Sequence, residues 1–159
     1  VRMNLSFRDM AIEDIPTLTW SGDQMHLDYI SHAFHRVAEG KTELVVGEDN
    51  GEIVVKGGID YTKYPGTATI WMVNVRLEYQ RKGIGTLFFK ELERRALLKG
   101  IMTARLHVEK SNPDAEKLYL SLGYEIIGPV TESWNEKDEQ GNIIEYLANC
   151  DLMEKDLSK

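Results

Sequence analysis

Short apolar runs separated by turn residues dominate the first half of the chain. The runs before and after Asp49-Asn50-Gly51 are rich in β-branched residues, and an Asn-Gly pair between two such runs is typical of a β-hairpin. Tyr64-Pro65-Gly66 marks a later turn, after which the chain enters another apolar run. The pattern predicts four strands in this half, over residues 5–8, 43–47, 52–61 and 67–77.

Helical spacing of apolar residues identifies three segments between and after these strands. Residues 9–20 predict a turn and a short helix with Asp14 as a possible cap, and residues 23–38 predict a longer helix that Gly40 ends. A third helix is predicted from about residue 83 to residue 99, before Gly100. Its expected buried stripe consists of Ile84, Leu87, Phe88, Leu92 and Ala96.

The remaining residues complete an alternation of strands and helices. Strands are predicted over residues 103–108, 124–127 and 143–153, with a helix from Asn112 or Pro113 that ends before Gly123. Residues 131–142 are polar and acidic, so we expect a loop there. The predicted order is β-α-α-β-β-β-α-β-α-β-β, and residues 1–159 are expected to form a single domain because no linker or repeat interrupts them.

Composition narrows the class of protein only slightly. Of the 159 residues, 42% are hydrophobic and 28% are charged, as in ordinary globular proteins, and the net charge of −7 disfavours a general nucleic-acid binder. Cys150 is the single cysteine, which excludes an intrachain disulfide and fits a reducing compartment. Without a long apolar run or a signal-peptide pattern, we expect a cytoplasmic protein that does not bind membranes.

The segment Gln80-Arg81-Lys82-Gly83-Ile84-Gly85 lies between a predicted buried strand and a predicted helix. Glycines at a helix N-terminus expose backbone N–H groups where the helix dipole is positive, which favours phosphate binding. A Rossmann loop would need a third glycine where Phe88 stands, and no Walker A string is present. A plain strand-to-helix turn remains an alternative to a phosphate site.

Two motifs resemble those of the GNAT superfamily of N-acetyltransferases. Gln80-x-x-Gly83-x-Gly85 is similar to the family's acetyl-CoA signature, [RQ]-x-x-G-x-[GA]. The segment from Asn112 to Tyr119 is similar to its N-x-x-A-x-x-L-Y motif and is followed by Leu122-Gly123-Tyr124, close to the family's Leu-Gly-Phe ending. The motifs stand in the family's order, and the resemblance covers roughly residues 42–128 well.

This resemblance implies a fold and a cosubstrate. The fold is a mixed α/β (α+β) architecture with a single mixed β-sheet, helices on both faces, and fourth and fifth strands that splay apart around the pantetheine arm of acetyl-CoA. Splayed strands leave backbone groups unpaired, and the amides of pantetheine can satisfy them. By position, the resemblance assigns cofactor binding to Val73, Val75, Gln80, Arg81, Lys82, Gly83, Ile84, Gly85, Thr86 and Asn112.

The same resemblance makes Tyr119 the candidate catalytic residue. Acetyl transfer to an amine expels a thiolate, which needs a proton as it leaves, and a Tyr hydroxyl can supply one. A core aromatic residue on an amphipathic helix is the alternative. Asn112 can also cap the helix that Pro113 begins, and Lys117 either reaches the phosphate end of the cofactor or lies on a solvated helix face.

The general base stays open at this stage. Many family members place a Glu on the fourth strand, but Ile70, Trp71 and Met72 occupy those positions here. Asp60, Glu78 and His107 are the remaining candidates, with a water chain as the default.

Residues 20–38 and 131–142 are expected to form the acceptor pocket, with His26, Tyr29, His32, His35 and Trp134 as candidate lining residues. The three histidines have no Cys or carboxylate to complete a metal site, so we expect no metal. Acidic side chains in the second segment either attract a cationic acceptor or are simply solvated. Cys150 reads as a core residue, which argues against an acetyl-cysteine intermediate.

The sequence thus predicts an acetyl-CoA-dependent N-acetyltransferase that acts by direct attack in a ternary complex. The acceptor is a small-molecule amine or an amine of a protein or peptide, and a homodimer is possible by family analogy. A non-catalytic acyl-CoA-binding module is the first alternative, and a nucleotide-binding α/β domain is the second.

Overall fold

Seven strands and three α-helices alternate along residues 3–159, which the computed structural model describes. The strands are β1 (Leu5–Asp9), β2 (Thr42–Asp49), β3 (Glu52–Asp60), β4 (Ala68–Val75), β5 (Thr103–Glu109), β6 (Glu125–Lys137) and β7 (Ile143–Asp156). The helices are α1 (Gln24–His35), α2 (Ile84–Leu98) and α3 (Pro113–Ser121), with short 3₁₀ helices at Ile12–Thr17, Thr19–Ser21 and Leu77–Tyr79. None of these helices is long and apolar enough to cross a membrane.

The chain divides into two compact units, and the first holds the residues up to 104 together with residues 157–159. Its strands β1, β2, β3 and β4 pair in chain order, each antiparallel to the next. The β2–β3 turn confirms the hairpin prediction, because Asn50 and Gly51 have φ values of 51° and 83°. Two consecutive positive φ values are what a tight turn between twisted strands requires.

Helix α1 packs its apolar stripe on one face of these strands. Leu27, Ile30 and Ala33 are buried against a cluster that includes Leu44 and Val46 of β2. The helix begins after Asp23, whose side chain accepts a hydrogen bond from the His26 N–H at 3.0 Å. It ends at residue 35, three residues earlier than predicted.

The segment before α1 also differs from the prediction. Asp14 is not the N-cap of an α-helix; it lies inside the 3₁₀ helix Ile12–Thr17, where its carboxylate accepts a hydrogen bond from the N–H of the N-cap residue Ala11 at 2.7 Å and pairs with Arg8. The residues around it form 3₁₀ turns rather than an α-helix.

Helix α2 covers the opposite face. Side chains alternate between faces along a strand, and Lys56 contacts His26 of α1, so position 57 faces away from α1. A Cβ at Gly57 would come within 2.8 Å of the Phe88 ring. Gly57 therefore allows α2 to approach the sheet closely. The predicted stripe is confirmed at Ile84, Phe88, Leu92 and Ala96, but Leu87 is 47% exposed because it lies beside the stripe.

The second unit spans residues 105–156 and contains most of β5, with β7 between β5 and β6. Strands β6 and β7 pair antiparallel from Glu125↔Glu154 to Lys137↔Ile143. The prediction of a loop over residues 131–142 is therefore wrong for residues 131–137. Only the last part turns, where the Asp138 carboxylate accepts hydrogen bonds from two backbone N–H groups and Gly141 takes a φ of 82°. The polar sequence reflects a strand that is largely exposed, not a loop.

Candidate functional site

Strand β4 carries a β-bulge at the place where the pantetheine contacts are predicted. Lys56 of β3 pairs with Asn74 and Gly58 pairs with Trp71, so Met72 and Val73 together face the single residue Gly57. Met72 takes a φ of 59°, an uncommon value for a residue with a side chain. The bulge interrupts the regular β3–β4 ladder at Met72 and Val73 and changes the direction of the backbone there.

The loop after β4 returns to the strand that it leaves. The Gln80 side chain donates a hydrogen bond from Nε2 to the Val75 carbonyl at 3.0 Å, which ties two of the predicted cofactor residues together. Arg81 and Lys82 are exposed, and the Lys82 ammonium lies 5.7 Å from the centre of the Tyr79 ring. The loop therefore presents two cations directly before helix α2.

The N-terminus of α2 is open. Gly83 is its N-cap with a φ of 80°, and no side chain caps the helix. First-turn N–H groups have no acceptor inside a helix, so those of Ile84, Gly85 and Thr86 are available to a ligand. A Cβ at Gly83 would meet nothing within 4 Å, and one at Gly85 would meet only Val75 Cγ2 at 4.0 Å. Neither glycine is therefore packed against a neighbouring group.

Helix α3 positions Asn112 and Tyr119. Asn112 is the N-cap, and its side-chain oxygen accepts a hydrogen bond from the Ala115 N–H at 3.2 Å. Tyr119 lies near the end of the helix and is only partly exposed. Burial raises the pKa of its hydroxyl above the ordinary value of 10.0, so the phenol is protonated at neutral pH and is able to donate a proton.

Of the three predicted base candidates, Asp60 is engaged in an ion pair and hydrogen bonds, and Glu78 is exposed. Asp60 pairs with Arg36 at 3.3 Å and accepts hydrogen bonds from the backbone and side chain of Thr62. These contacts hold the carboxylate in the turn after β3. Glu78 is exposed on the short helix after β4.

The third candidate, His107 on β5, pairs with Glu132 on β6 through its Nδ1 atom. The residue of β7 opposite Glu132 is Ala148, whose methyl group leaves room for the contact. This contact holds the imidazole in place within the second unit. Such a hydrogen-bonded histidine in a sheet is typical of a structural role.

The predicted acceptor residues fall into separate groups. In the first unit, the His26 and Tyr29 rings stack with centroids 6.5 Å apart, and Trp71 Nε1 donates to the Tyr29 hydroxyl at 3.1 Å. In the second unit, Trp134 lies on β6 rather than in a loop and packs 4.9 Å from the Tyr146 ring. Within residues 3–159 no group of three or more His, Cys, Asp or Glu residues could hold a metal ion, and His32 and His35 lie in the last turn of α1.

The structure adds one group that the sequence reasoning missed. Lys56 is fully buried, and its Nζ lies 2.7 Å from the Met72 carbonyl oxygen and 3.0 Å from His26 Nε2. The Lys56 amine therefore donates a hydrogen bond to the Met72 carbonyl, which the bulge removes from the β3–β4 ladder. A signal was present in the sequence, because this lysine interrupts the apolar run Ile53-Val54-Val55-Lys56-Gly57-Gly58-Ile59.

The comparison with protein families decides the class of this chain. The model of the acetyltransferase (GNAT) family matches residues 9–124, which is most of the sequence. The chain belongs to the GNAT acetyltransferase family. The match extends further toward the N-terminus than the resemblance over residues 42–128. No protein with a curated description matches the sequence.

Solved GNAT structures share this fold at low sequence identity. A spermidine N-acetyltransferase SpeG chimera from Vibrio cholerae and hSSAT has a TM-score of 0.76 and 18% identity, covering 97% of this chain and 96% of its own. An N-acetyltransferase from Staphylococcus aureus has a TM-score of 0.75 and 19% identity, covering 97% and 99%. The PaiA N-acetyltransferase from Thermoplasma acidophilum, solved with coenzyme A, has a TM-score of 0.69 and 17% identity, covering 97% and 99%.

These matches confirm the predicted GNAT family and its mixed α/β fold. They also confirm the prediction of an acetyl-CoA-dependent acetyltransferase, which disfavours a nucleotide-binding domain. The roles of the individual GNAT site residues in this chain stay predictions.

Proposed function

We propose that this chain transfers the acetyl group of acetyl-CoA to a primary amine by direct attack in a ternary complex, with Tyr119 as the general acid. The observation that carries the proposal is the uncapped N-terminus of α2, with two exposed cations before it and open space above its glycines. Anions bind favourably at such a helix end because free N–H groups and the helix dipole both attract them.

We propose the following cofactor contacts. The N–H groups from Arg81 to Thr86 hold the pyrophosphate, and the Arg81 and Lys82 side chains neutralise it. Backbone groups of Val73 and Val75 pair with the pantetheine amides on the edge of β4 that faces away from β3. The Gln80 side chain supports the loop through its hydrogen bond to the Val75 carbonyl. Asn112, the N-cap of α3, adds a polar contact to the cofactor.

Acetyl transfer with these groups is a direct displacement at the thioester carbonyl. The neutral amine attacks the thioester carbonyl carbon, a C–N bond forms, and the C–S bond then breaks. The departing thiolate takes a proton from the Tyr119 hydroxyl, and the nitrogen loses the proton that restores the phenol. A raised pKa makes Tyr119 a proton donor rather than a phenolate at neutral pH.

The acceptor class is a cationic amine. A net charge of −7 favours the approach of a cation, and one structural relative is named for spermidine. Release of free thiol from acetyl-CoA with polyamines, amino acids, aminoglycosides and short peptides identifies the acceptor. Binding of coenzyme A without thiol release in the presence of any of these amines would favour the alternative of a non-catalytic acyl-CoA-binding module. A homodimer remains an expectation from the family.

Substitution of Tyr119 tests the general acid. Tyr119→Phe should lower kcat by about 100-fold or more, as general acids contribute in enzymes, and leave the Kd for acetyl-CoA unchanged. Tyr64→Phe, at another partly exposed tyrosine in the turn before β4, is the matched control and should turn over normally. Equal kcat values for Tyr119→Phe and the wild type would refute the assignment.

A further inference from the structure

The buried amine of Lys56 has an unusual set of partners. Its two polar neighbours are the Met72 carbonyl oxygen and His26 Nε2, and within residues 3–159 no carboxylate forms an ion pair with it. A buried ammonium without a counter-ion is costly, so burial favours the neutral amine. A neutral lysine amine retains a lone pair and can accept a proton.

The Lys56 amine contacts one group that only accepts hydrogen bonds, the Met72 carbonyl, and one that can also donate, His26 Nε2. One N–H of the neutral amine donates to the Met72 carbonyl, which cannot exchange a proton. We assign His26 the tautomer in which Nε2–H donates to the lone pair of this amine; the 3.0 Å contact fits it, although the other tautomer would let the amine donate instead. In this tautomer Nδ1 of His26 is an acceptor, and it lies on the part of the imidazole ring away from Lys56. The ring is thus able to pass a proton from Nδ1 to Nε2 and on to Lys56.

We propose that His26 and Lys56 form a proton relay that deprotonates the incoming ammonium group of the acceptor. The relay rests on the proposed acetyl transfer. The acceptor's N–H bond breaks and its proton reaches His26 Nδ1 through one water. The Nε2 proton of His26 moves to the Lys56 lone pair. The acceptor is then a neutral amine able to attack the thioester, and Lys56 is an ammonium that returns its proton by the reverse route after product release.

The surroundings suit a cationic amine. Tyr29 stacks on His26 and is 52% exposed, so solvent and solutes reach this side of the pair. The Tyr29 and Trp71 rings are joined by a hydrogen bond, and aromatic faces attract cations. Lys56 also contacts the backbone at Met72, one residue before the predicted pantetheine contact at Val73.

Few other charges act on the pair. Burial, together with the charge of Lys56, lowers the pKa of His26 to about 4, and the charge of Asp23, the N-cap of α1, opposes this shift. Burial alone lowers the pKa of Lys56 to about 7. The strand neighbours of Lys56 are Val46 of β2 and Asn74 of β4, neither of which ionises. Because Lys56 is more basic than His26, the proton moves toward Lys56.

The test compares two acceptors that differ in basicity. Spermidine is mostly protonated near neutral pH, whereas a hydrazide is already neutral and needs no base. Lys56→Met should lower kcat/KM for spermidine about 100-fold at pH 7 and for the hydrazide about threefold or less. Lys56→Arg keeps a hydrogen-bond donor to Met72 but cannot accept a proton, so it should not restore activity. His26→Gln should behave like Lys56→Met.

The pH profile and a direct titration complete the test. For the wild type, kcat/KM with spermidine should rise through an apparent pKa near 7, and the variants should lack this step. The ¹³Cε resonance of Lys56, assigned by its loss in Lys56→Met, should titrate near the same pH. Thermal unfolding and coenzyme A binding establish that each variant is folded.

Three results would overturn the relay. These are titration of Lys56 near its ordinary value of 10.5, equal losses with both acceptors, and variants whose pH profile matches the wild type. The failures of the two proposals are distinguishable. A wild type that releases no thiol with any amine refutes the acetyl transfer and the relay with it, whereas an active wild type with indifferent variants refutes the relay alone.

Discussion

Replacing Lys56 by Met should change how the stability of the protein depends on pH. Met has a similar length and no charge, so it fills the same buried position on β3. The substitution removes an amine whose pKa is about 7 in the folded protein and about 10.5 when the chain is unfolded. Proton binding to Lys56 is therefore weaker in the folded state, and a stability difference follows by linkage.

The sign and size come from these two values. Below pH 7 Lys56 is protonated in both the folded and the unfolded state, so the buried charge lowers the free energy of unfolding by a constant amount. As the pH rises from 7 to 10.5, Lys56 loses its proton in the folded state and this penalty disappears. At about 1.4 kcal/mol for each tenfold change in the ionisation constant, the full penalty is about 5 kcal/mol. Between pH 7 and about pH 9.5 roughly 3 kcal/mol of it disappears. The variant also leaves the Met72 carbonyl without its donor, which costs about 1–3 kcal/mol at every pH.

Urea unfolding at several pH values from 7 to about 9.5 measures this difference. The free energy of unfolding of the wild type should rise relative to that of Lys56→Met by about 3 kcal/mol across the range. His26 does not complicate the comparison, because its lowered pKa affects stability only below its ordinary value of 6.5. Lys90→Met, at an exposed position of α2, is the control and should parallel the wild type. Parallel curves for the wild type and Lys56→Met would refute the argument.

Further predictions concern the two helix starts. Gly85→Ala should stabilise α2 by about 0.5–1 kcal/mol in chemical unfolding, since a Cβ has room there, and should leave coenzyme A binding in calorimetry intact, because the signature [RQ]-x-x-G-x-[GA] accepts Ala at this position. Gly83→Ala should destabilise the protein by about 1 kcal/mol because of its positive φ; stabilisation by Gly83→Ala would contradict this. Asn112→Ala should cost about 1 kcal/mol of stability, measured by urea unfolding, while Asn112→Asp retains the cap. Equal stability of both Asn112 variants would show that the cap contributes little.

Elements whose periodicity and turn chemistry agree could be predicted well. The hairpin at Asn50-Gly51 and the helix after Gly83 lie where local rules place them, because positive φ values and the apolar stripe are local properties. Residues 131–137 could not be assigned from such rules. Their pairing with β7 supplies backbone hydrogen bonds whatever their side chains are, so a polar, exposed strand looks like a loop in the sequence.

The same distinction between local and distant interactions applies to the site. A glycine-bearing helix start is a local motif and was predictable, whereas the environment of Lys56 depends on a helix thirty residues away in the chain, which brings His26 to 3.0 Å. In the sequence alone, where this contact is not visible, Lys56 only interrupts an apolar strand. With it, Lys56 is a fully buried amine that faces an imidazole and no carboxylate, and burial lowers its pKa to about 7. A missing acidic residue on β4 therefore does not leave the first unit without a proton acceptor, since the neighbouring strand supplies one from the other side of the bulge.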